Sequence, residues 1–488
     1  MKNLIKQFNS PETFMIISDY PEINKKGEKN YGIAWYTKKL IEPLSKQFGN
    51  RFIVLAEKAN DNRPKLHEKN KILVLRVFDQ KHPFLFPRIL KWMFKFNKVT
   101  NIHVHSEFCT NGGMKNFILT IPFFLLIKLT GKHITYFSHN VVLELNSIAP
   151  HLGLKKNSLK LKTINLGLHY YYRILGLMVD KFVVMDEVMA KRLKLFVKED
   201  KILLHPFWVE PAKSMNKQKA REIINKKFLT KFSHVIPAPR PSEALREGGK
   251  AGIQKNKDWI LDQVQNDNGI NPDDFVLLYF GFLTYYKGAD WLIKTVKQLR
   301  KQKQFQKLHL ILAGGEAYSL KDKAYYKKYY KSLLREIKDD PNIQITGFVA
   351  EKDIATYFSA ADAVAFTYRG LIGGSGSLTL TLAHHKPFIL SERMQELVLD
   401  KDIISACKIN HIQPSDLIFS YTADSLAEKL IQLQNPVFRQ KLTRVAISIA
   451  EARSKPKLLN NCYNQLYATN SIPAQPHKGT QLARLFTA

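Results

Sequence analysis

The sequence predicts an α/β protein built from two Rossmann-like domains that face each other across a cleft. Short apolar runs alternate with longer amphipathic segments, a pattern typical of parallel sheets covered by helices. This alternation stops near residue 210 and restarts at Asp274. With 488 residues and 45% hydrophobic residues, the chain can form two cores, and global disorder is excluded.

The first half contains six apolar runs that predict strands: Phe14–Ser18, Phe52–Leu55, Ile72–Val77, Asn101–His105, His133–Phe137 and Lys181–Met185. A helix is predicted at Ile33–Phe48, where apolar residues recur at helical spacing. The most apolar stretch, Phe117–Leu129, is too short to cross a bilayer and contains Pro122 and Lys128. We expect it to be a buried or interfacial helix, and we expect no transmembrane helix.

The second half repeats the alternation. Strands are predicted at Phe275–Phe280, Leu308–Ala313, Ile343–Ile345 and Ala363–Phe366, and helices at Ala289–Arg300, Glu351–Ala360 and Leu378–His385. The predicted organisation is a first domain at 1–210, a linker region at 211–271, a second domain at 272–425, helices at 426–467 and a loose tail at 468–488.

Within the linker region, residues 229–268 are polar, rich in Pro, Gly and Asn, and show no periodicity. Joining the flanks directly gives a natural helix–turn–strand sequence. The segment is similar to translated copies of palindromic repeat elements found in some bacterial genomes. We interpret it as an exposed inserted loop without a role in catalysis, and we predict that deleting it leaves folding and activity intact.

The composition indicates a basic protein of a reducing compartment. The net charge of +33 is spread over both halves, which favours a broadly basic surface that attracts anionic membranes or phosphate-bearing substrates. The three cysteines are far apart and form no CxxC pair, so neither a disulfide framework nor a zinc site is expected. The N-terminus lacks the apolar core of a signal peptide. We expect a cytoplasmic protein, with a peripheral position on the inner face of the membrane.

A nucleic-acid-binding function is the weaker interpretation of this charge. Its only other support is the stretch AYYKKYYKSLLREI, whose Tyr and Leu residues recur at helical spacing and predict a packed face instead. No familiar nucleic-acid motif is present. Nucleic acid is therefore not an expected partner.

The first candidate site lies between a predicted strand and a helix, where Gly281 precedes Lys287 by six residues. A glycine at the end of a strand lets a ligand approach the backbone, and a lysine at this distance can reach a diphosphate. Ligands of open α/β sheets bind at this edge. The alternative is that Lys287 is an ordinary surface lysine in a lysine-rich chain.

Two further segments of the second half are candidate ligand contacts. The loop that begins at Gly370 continues through Gly374, Ser375, Gly376 and Ser377 and opens a helix, so its N–H groups and hydroxyls can bind an anion. The alternative is a flexible turn with a serine N-cap.

The other segment is the turn of Gly347, Phe348 and Val349. Its backbone can hold a nucleobase edge while the ring covers the base. The alternative is an ordinary turn.

The first half offers weaker candidates. Gly27 and Gly32 precede a helix and would allow phosphate or sugar to approach, and His139 follows a strand and would face the cleft. His103 and His105 alternate on a strand, but no third ligand has suitable spacing for a metal. We therefore expect no metal.

These motifs, in this order, resemble the family 4 (group 1) retaining glycosyltransferases of GT-B fold. The matching phrases are NYGIAWYTKKLIEPL, NIHVH, TYFSHNV, VDKFVVMDEVMAKRL, ILLHPFWVE, FVLLYFGFLTYYKGADWLI, LILAGG, IQITGFVAEKDIATYFSAADAVAF and GSGSLTLTLAHHKPFIL. The likeness extends from about Phe14 to Tyr467 and omits the inserted segment. It is more specific in the second half than in the first.

The resemblance implies a hexosyltransferase that moves a sugar from a nucleotide-sugar donor to a lipid-linked or surface-polysaccharide acceptor, with retention and without metal or other cofactor. It implies that the donor binds the second domain, that the acceptor binds the first, and that the helices at 426–467 pack back on the first. Lys287 would neutralise the diphosphate, the backbone at 347–349 would hold the base, and the loop at 375–377 would bind phosphate. His139 would contact the transferred sugar, and Gly32 would lie near the diphosphate.

The sequence departs from the family's pattern at two places. Ile372 and Leu380 stand where many members have two glutamates, as in an SG-type variant that lacks both, and Phe282 and Thr284 stand where an arginine usually assists the lysine. These departures leave a second interpretation open: a catalytically weak nucleotide-sugar-binding partner in a glycosyltransferase complex. A nucleotide-sugar epimerase of the same fold is a third.

Overall fold

The computed structural model describes residues 1–21, 32–59, 61–79, 82, 84–106, 114–232, 269–317, 320–338, 340–371 and 373–468. The predicted inserted loop at 229–268 lies outside these residues, except for the helical backbone of residues 229–232. Gly27, Cys109, Ile372 and residues 469–488 also lie outside them.

The first domain contains an eight-stranded sheet. Its strands are β1 Thr13–Ile17, β2 Arg51–Glu57, β3 Lys65–His67, β4 Ile72–Phe78, β5 Asn101–Ser106, β6 His133–Ser138, β7 Lys181–Val184 and β8 Ile202–Leu204. Their order is β3-β4-β2-β1-β5-β6-β7-β8, and all neighbours are parallel except β3 and β4. The central strands are buried on both faces, which explains their continuous apolar runs.

Helices connect these strands on both faces of the sheet. They are α1 Lys2–Phe8, α2 Gly32–Phe48, α3 Leu85–Lys95, α4 Met114–Leu129, α5 Leu159–Met178 and α6 Glu187–Leu193. The long helix α5 begins at the N-cap Ser158, whose side chain accepts a hydrogen bond from the Leu161 amide. In the part of the chain that is described, no helix is both long and apolar enough to cross a membrane.

The second domain contains a six-stranded parallel sheet. Its strands are β9 Phe275–Phe280, β10 Leu308–Ala313, β11 Ile343–Ile345, β12 Ala363–Phe366, β13 Phe388–Ser391 and β14 Ile418–Phe419, in the order β11-β10-β9-β12-β13-β14. Its helices, counted from α7 in the preceding segment, are α7 Lys217–Phe232, α8 Ala289–Leu299, α9 Ala324–Ile337, α10 Glu351–Ala360, α11 Gly376–Ala383, α12 Lys401–Ile409, α13 Ala423–Gln434 and α14 Pro436–Ala452. The last helix, α15 Lys455–Cys462, packs on the first domain's core.

Helix α7, which falls in the predicted linker region, is part of the second domain's core. Its Ala220 and Ile224 are buried there. The guanidinium of Arg221 donates to the Asp362 carboxylate at 2.7 Å and to the carbonyl oxygen of Asp274 at 2.9 Å. These bonds join α7 to the amino-terminal edge of the sheet.

The chain crosses back to the first domain as predicted, but the segment that packs there is shorter than the predicted 426–467. The buried residues of α13 and α14, such as Leu430 and Val445, pack in the second domain's core rather than on the first. Residues 455–467 make the crossing, and Tyr467 lies between Phe14 and Phe52 of the first core. The apolar faces of α13 and α14 pack in the core of the second domain. Sequence periodicity shows that these faces are buried, but it does not show which domain covers them.

The predicted fold of two parallel-sheet α/β domains is confirmed. The prediction did not include four strands: β3, β8, β13 and β14. Three of these have two or three residues each and lie at sheet edges. Such short segments leave too little pattern in the sequence to identify.

Candidate ligand site at the domain cleft

The carboxyl ends of β9 and β12 form the centre of the second sheet's open edge. These two strands are neighbours, although the chain runs from β9 to β10 on one side and from β12 to β13 on the other. Connections that leave in opposite directions open a crevice between the strand ends, which is where ligands of such sheets bind. Gly281 follows β9, and Thr367 follows β12.

Three predicted residues meet in this crevice. Gly281 has a φ of 122°, a conformation that glycine adopts readily. A β-carbon at this position would lie 2.6 Å from Nζ of Lys287 and 3.0 Å from Oγ of Ser377. The fold therefore brings the end of β9, the Lys287 ammonium group and the first turn of α11 together. In the sequence, three strands lie between Lys287 and Ser377.

The ammonium group of Lys287 is available to an anion. It is half-buried, 5.4 Å from the ring centroid of Tyr368 and 6.0 Å from that of Tyr286. Within the described ranges, no salt bridge neutralises it. The carbonyl of Lys287 accepts a hydrogen bond of 2.8 Å from the Thr367 hydroxyl, which fixes the loop to the end of β12. A cation held in this way can serve a phosphate as a point charge.

Gly314, which follows β10, lies at the same edge of the sheet. Gly314 lies directly against Gly281, since a β-carbon at 314 would stand 1.8 Å from the carbonyl oxygen of Gly281. The Gly314 amide donates to the Thr346 hydroxyl at 3.1 Å, and this bond fixes the turn that follows β11. Gly314 was not among the predicted site residues, although two consecutive glycines after a buried strand are a recognisable signal.

The turn of Gly347, Phe348 and Val349 lies at the carboxyl end of β11, two strands from β9. The Phe348 side chain is 66% exposed, whereas Val349 is half-buried. An exposed aromatic ring at this edge offers a surface on which a base can stack. That use of the turn stays a prediction.

The glycine-rich loop that opens α11 also contacts the first domain. Gly373 pairs with Asn140 in an antiparallel bridge, and a β-carbon at 373 would lie 2.3 Å from the carbonyl oxygen of His139. A β-carbon at Gly374 would lie 2.3 Å from Cε2 of Phe207, whereas no atom lies within 4 Å of that position at Gly376. Gly373 and Gly374 therefore permit domain contact, and Gly376 borders open space.

The two serines of this loop differ. The Ser375 hydroxyl accepts a hydrogen bond from the Leu378 amide at 3.2 Å, so it caps α11 as the alternative interpretation proposed. The Ser377 hydroxyl points to the Gly281–Lys287 crevice. The positive end of the α11 dipole and its free N–H groups face the same crevice.

His139 lies on the first domain's side of the contact. It is buried, its ring meets Tyr36 edge-on with centroids 4.9 Å apart, and its Nε2 atom has no hydrogen-bond partner among the residues that the structure describes. Burial lowers the pKa of His139 to about 3, so the ring is neutral at physiological pH. A neutral ring with an unpaired nitrogen can donate to or accept from a hydroxyl group.

The other candidates of the first domain have structural partners or exposed positions. Nδ1 of His103 lies 3.1 Å from the Tyr467 hydroxyl, and Nδ1 of His105 lies 3.1 Å from the Thr37 hydroxyl. Gly32 begins α2 and is exposed. Nothing in the described part of the chain places Gly32 at the Lys287 crevice.

The positions that depart from the family's pattern carry no substitute charge. Leu380 is half-buried against the second core, Phe282 is exposed, and Thr284 is buried. Arg369, which the sequence analysis did not select, lies nearby, but its guanidinium binds both Asp290 carboxylate oxygens at 2.8 Å. Its charge is therefore already neutralised.

A cavity of about 700 Å³ lies between the domains next to this site. Its lining includes Glu144 and Ser147 from the first domain and Arg369 and Arg393 from the second. Arg192 of α6 crosses the cleft and donates to the Leu371 carbonyl at 2.9 Å and to the Glu396 carboxylate at 2.9 Å. The cavity is lined by polar groups and by charged side chains of both signs, and such a lining suits a hydroxyl-rich ligand.

Comparison with known proteins agrees with this architecture. Residues 274–435, about a third of the chain, match the family model described as glycosyl transferases group 1. No curated protein matches the sequence significantly. The family pattern is therefore established for the second domain's segment.

Solved structures of low sequence identity share the whole fold. A sucrose-phosphate synthase from Thermosynechococcus elongatus has a TM-score of 0.62 at 15% identity, covering 94% of this chain and 99% of that one. An Anabaena HepE in complex with UDP-glucose has a TM-score of 0.53 at 12% identity, covering 93% and 99%. A trehalose-phosphate synthase from Burkholderia vietnamiensis has a TM-score of 0.55 at 12% identity, covering 93% and 99%. The predicted GT-B fold is confirmed.

Proposed function

We propose that this protein is a glycosyltransferase that moves a hexosyl group from a nucleotide sugar to a lipid-linked or surface-polysaccharide acceptor. The reaction retains the anomeric configuration and uses no metal ion. The observation that carries the proposal is the convergence of the Lys287 ammonium group, the Ser377 hydroxyl and the Gly281 backbone at the switch point of the second sheet.

In the proposed reaction, the bond between the sugar's anomeric carbon and the diphosphate oxygen breaks, and a bond to the acceptor oxygen forms on the same face. The acceptor's proton passes to the departing phosphate oxygen. Negative charge grows on the diphosphate as the bond breaks. Lys287 and the N–H groups at the start of α11 are already oriented toward that charge, so they lower the barrier.

His139 contributes by position rather than by proton transfer. With a pKa of about 3 it is unprotonated near neutral pH and is a weak base, so it is poorly suited to proton transfer. Its unpaired Nε2 atom is suited to hold a hydroxyl of the transferred sugar, and its carbonyl oxygen touches Gly373 of the opposite domain. Closure of the domains therefore brings His139 and the start of α11 to the same ligand.

For the donor, UDP-glucose is the first compound to examine, because a structurally similar protein was solved in complex with it. The exposed Phe348 ring and the backbone around it would hold the base. The acceptor would enter through the cavity between the domains. A cytoplasmic enzyme held at the inner membrane face fits the net charge of +33 and a lipid-linked acceptor.

The proposal is tested by comparing Lys287→Ala with Lys294→Ala, an exposed lysine of α8 used as a matched control. We expect Lys287→Ala to weaken UDP-glucose binding about tenfold to a hundredfold, since a charged hydrogen bond contributes about 1.5–3 kcal/mol. Titration calorimetry with UDP-, GDP- and ADP-linked sugars measures this. Equal affinity of both variants for every donor bound by the parent would refute the site.

A second candidate function is a nucleotide-sugar-binding partner with little turnover of its own. It is supported by the apolar Leu380 and by Arg369, whose charge is held by Asp290. Donor hydrolysis distinguishes the two candidates. Binding without release of nucleotide diphosphate, for every donor and with acceptor lipid present, favours the second.

A further inference from the structure

The outer surface of the first domain exposes many large apolar side chains on α3, α4 and α5. They include Phe94 on α3, Ile118, Leu126 and Leu129 on α4, and Leu166 and Leu177 on α5. We call this surface the α3–α5 face. On α4 and α5 the exposed apolar residues recur every three or four positions, so they form one stripe opposite the stripe that packs on the sheet.

The three helices lie side by side. Each connects a strand to one further along the sheet in the same direction, from β4 to β5, β5 to β6 and β6 to β7. Right-handed crossovers in one direction place their helices on one face of a sheet. Phe86 of α3 and Phe123 of α4 pack with ring centroids 4.6 Å apart, and α4 contacts α5. The exposed stripes therefore belong to one continuous surface.

The charges of this surface have one sign. None of the three helices contains an Asp or Glu, whereas together they contain eight Lys and Arg residues. Lys128 is paired with Asp180, which lies just beyond α5. Lys91, Lys95, Lys160 and Lys162 are exposed. Apolar side chains surrounded by unneutralised cations are typical of surfaces that lie in the interface of an anionic bilayer.

We propose that the α3–α5 face docks on an anionic lipid bilayer, with its apolar side chains inserted between headgroups and its lysines beside lipid phosphates. This deepens the peripheral membrane position that forms part of the proposed function, and it names the surface responsible. α4 has 16 residues and contains Pro122, so it lies along the interface instead of crossing the bilayer.

A second copy of this chain is a poorer occupant of the same face. A two-fold dimer brings identical surfaces together. Here it would set the cations of one copy against those of the other, with no carboxylate on these helices to pair with them. Like charges facing each other across an interface oppose association. An anionic bilayer satisfies both the apolar and the charged component.

The test uses the full chain and flotation with vesicles of phosphatidylcholine, alone or mixed with an equal part of phosphatidylglycerol. One variant changes Ile118, Leu129, Leu166 and Leu177 to Gln. The matched control changes four exposed apolar residues of the second domain to Gln: Leu334, Ile409, Ile431 and Val437. A third variant, Lys91→Glu with Lys160→Glu, tests the charge component.

We expect the parent and the control to bind the anionic vesicles and to leave neutral vesicles largely free. The first variant should bind at least about a hundredfold more weakly. The Lys91→Glu, Lys160→Glu variant should bind at least about twenty-fivefold more weakly, since each lysine near the surface is worth about fivefold and each glutamate adds repulsion. Added salt should also weaken binding of the parent.

Parent protein that does not float with anionic vesicles, or a first variant that floats as well as the control, overturns the proposal. The proposal is also overturned if light scattering shows that the parent is a dimer and the first variant a monomer, because the face would then serve self-association. UDP-glucose binding is measured on the same variants. Its retention in the first variant separates failure of docking from failure of the proposed function.

Discussion

The ammonium group of Lys287 occupies the space that a β-carbon on Gly281 would need, with Nζ 2.6 Å from that position. The two residues are therefore coupled: any side chain at 281 displaces the cation of the candidate site. A side chain at 281 would also displace the Ser377 hydroxyl, which lies 3.0 Å from that position.

Gly281→Ala is expected to weaken donor binding at least as much as Lys287→Ala, because it moves both Nζ and the Ser377 hydroxyl. Its φ of 122° adds backbone strain of about 1–3 kcal/mol. Gly131→Ala is the control for strain, since Gly131 also has a positive φ and no atom within 4 Å of its β-carbon position. Thermal unfolding with and without UDP-glucose separates the two effects. Full stabilisation of Gly281→Ala by the donor would contradict the coupling.

Gly373→Ala is expected to push the domains apart. Its β-carbon would stand 2.3 Å from the carbonyl oxygen of His139, and a backbone atom cannot rotate away. Gly376→Ala is the matched control in the same loop, because nothing lies within 4 Å of its β-carbon position. We expect a larger radius of gyration in X-ray scattering for Gly373→Ala alone, and about tenfold lower transfer activity of this variant than of the parent. Unchanged scattering would show that the contact adapts without opening.

Arg221→Met is expected to destabilise the second domain by about 3–5 kcal/mol, because it leaves the buried Asp362 carboxylate without its main partner. Lys217, which also contacts Asp362, is partly exposed and compensates incompletely. Lys219→Met, at an exposed position two residues away on the same helix, should change stability by less than about 0.5 kcal/mol. Urea denaturation followed by fluorescence measures both. Similar midpoints for the two variants would show that the pair contributes little.

The stability of the folded protein is expected to decrease as the pH is lowered below about 6.5. Burial lowers the pKa of His103 to about 3 and that of His205 to about 4. Between these values and the unfolded pKa of about 6.5, the unfolded chain binds more protons, so each histidine costs up to about 1.4 kcal/mol per pH unit as pH falls.

Melting temperatures from pH 7.5 to 4.5 measure this dependence. His103→Gln should reduce the slope relative to the parent. Identical slopes for the parent and the variant would contradict the assignment.

Most strands of the two sheets were predictable because their buried faces impose continuous apolar runs. Phe275–Phe280 and Leu308–Ala313 have the bounds that the sequence indicates. The position of α14 was not predictable. Its apolar face is the same whichever domain it covers, and only the fold shows that Val445 packs in the second core.

At the site, local pattern was sufficient to place Gly281, Lys287 and Ser377 at the end of a strand or the start of a helix, while their use as ligand contacts stays a prediction. It was insufficient for Gly373 and Gly374, whose nearest neighbours, His139 and Phe207, belong to the other domain. Arg369 was missed for the same reason, since its partner Asp290 lies 79 positions earlier in the chain. Contacts between distant segments leave no periodic signal in the sequence.

The position of Tyr467 has a consequence for biosynthesis. Its ring fills a gap between Phe14 and Phe52, and its hydroxyl meets His103 inside the first domain. A growing polypeptide therefore exposes an unfinished first core while the ribosome adds the whole second domain, and it closes that core only after the second domain has been made. Truncated products that stop before residue 455 would keep this apolar gap open and become substrates for chaperones and proteases.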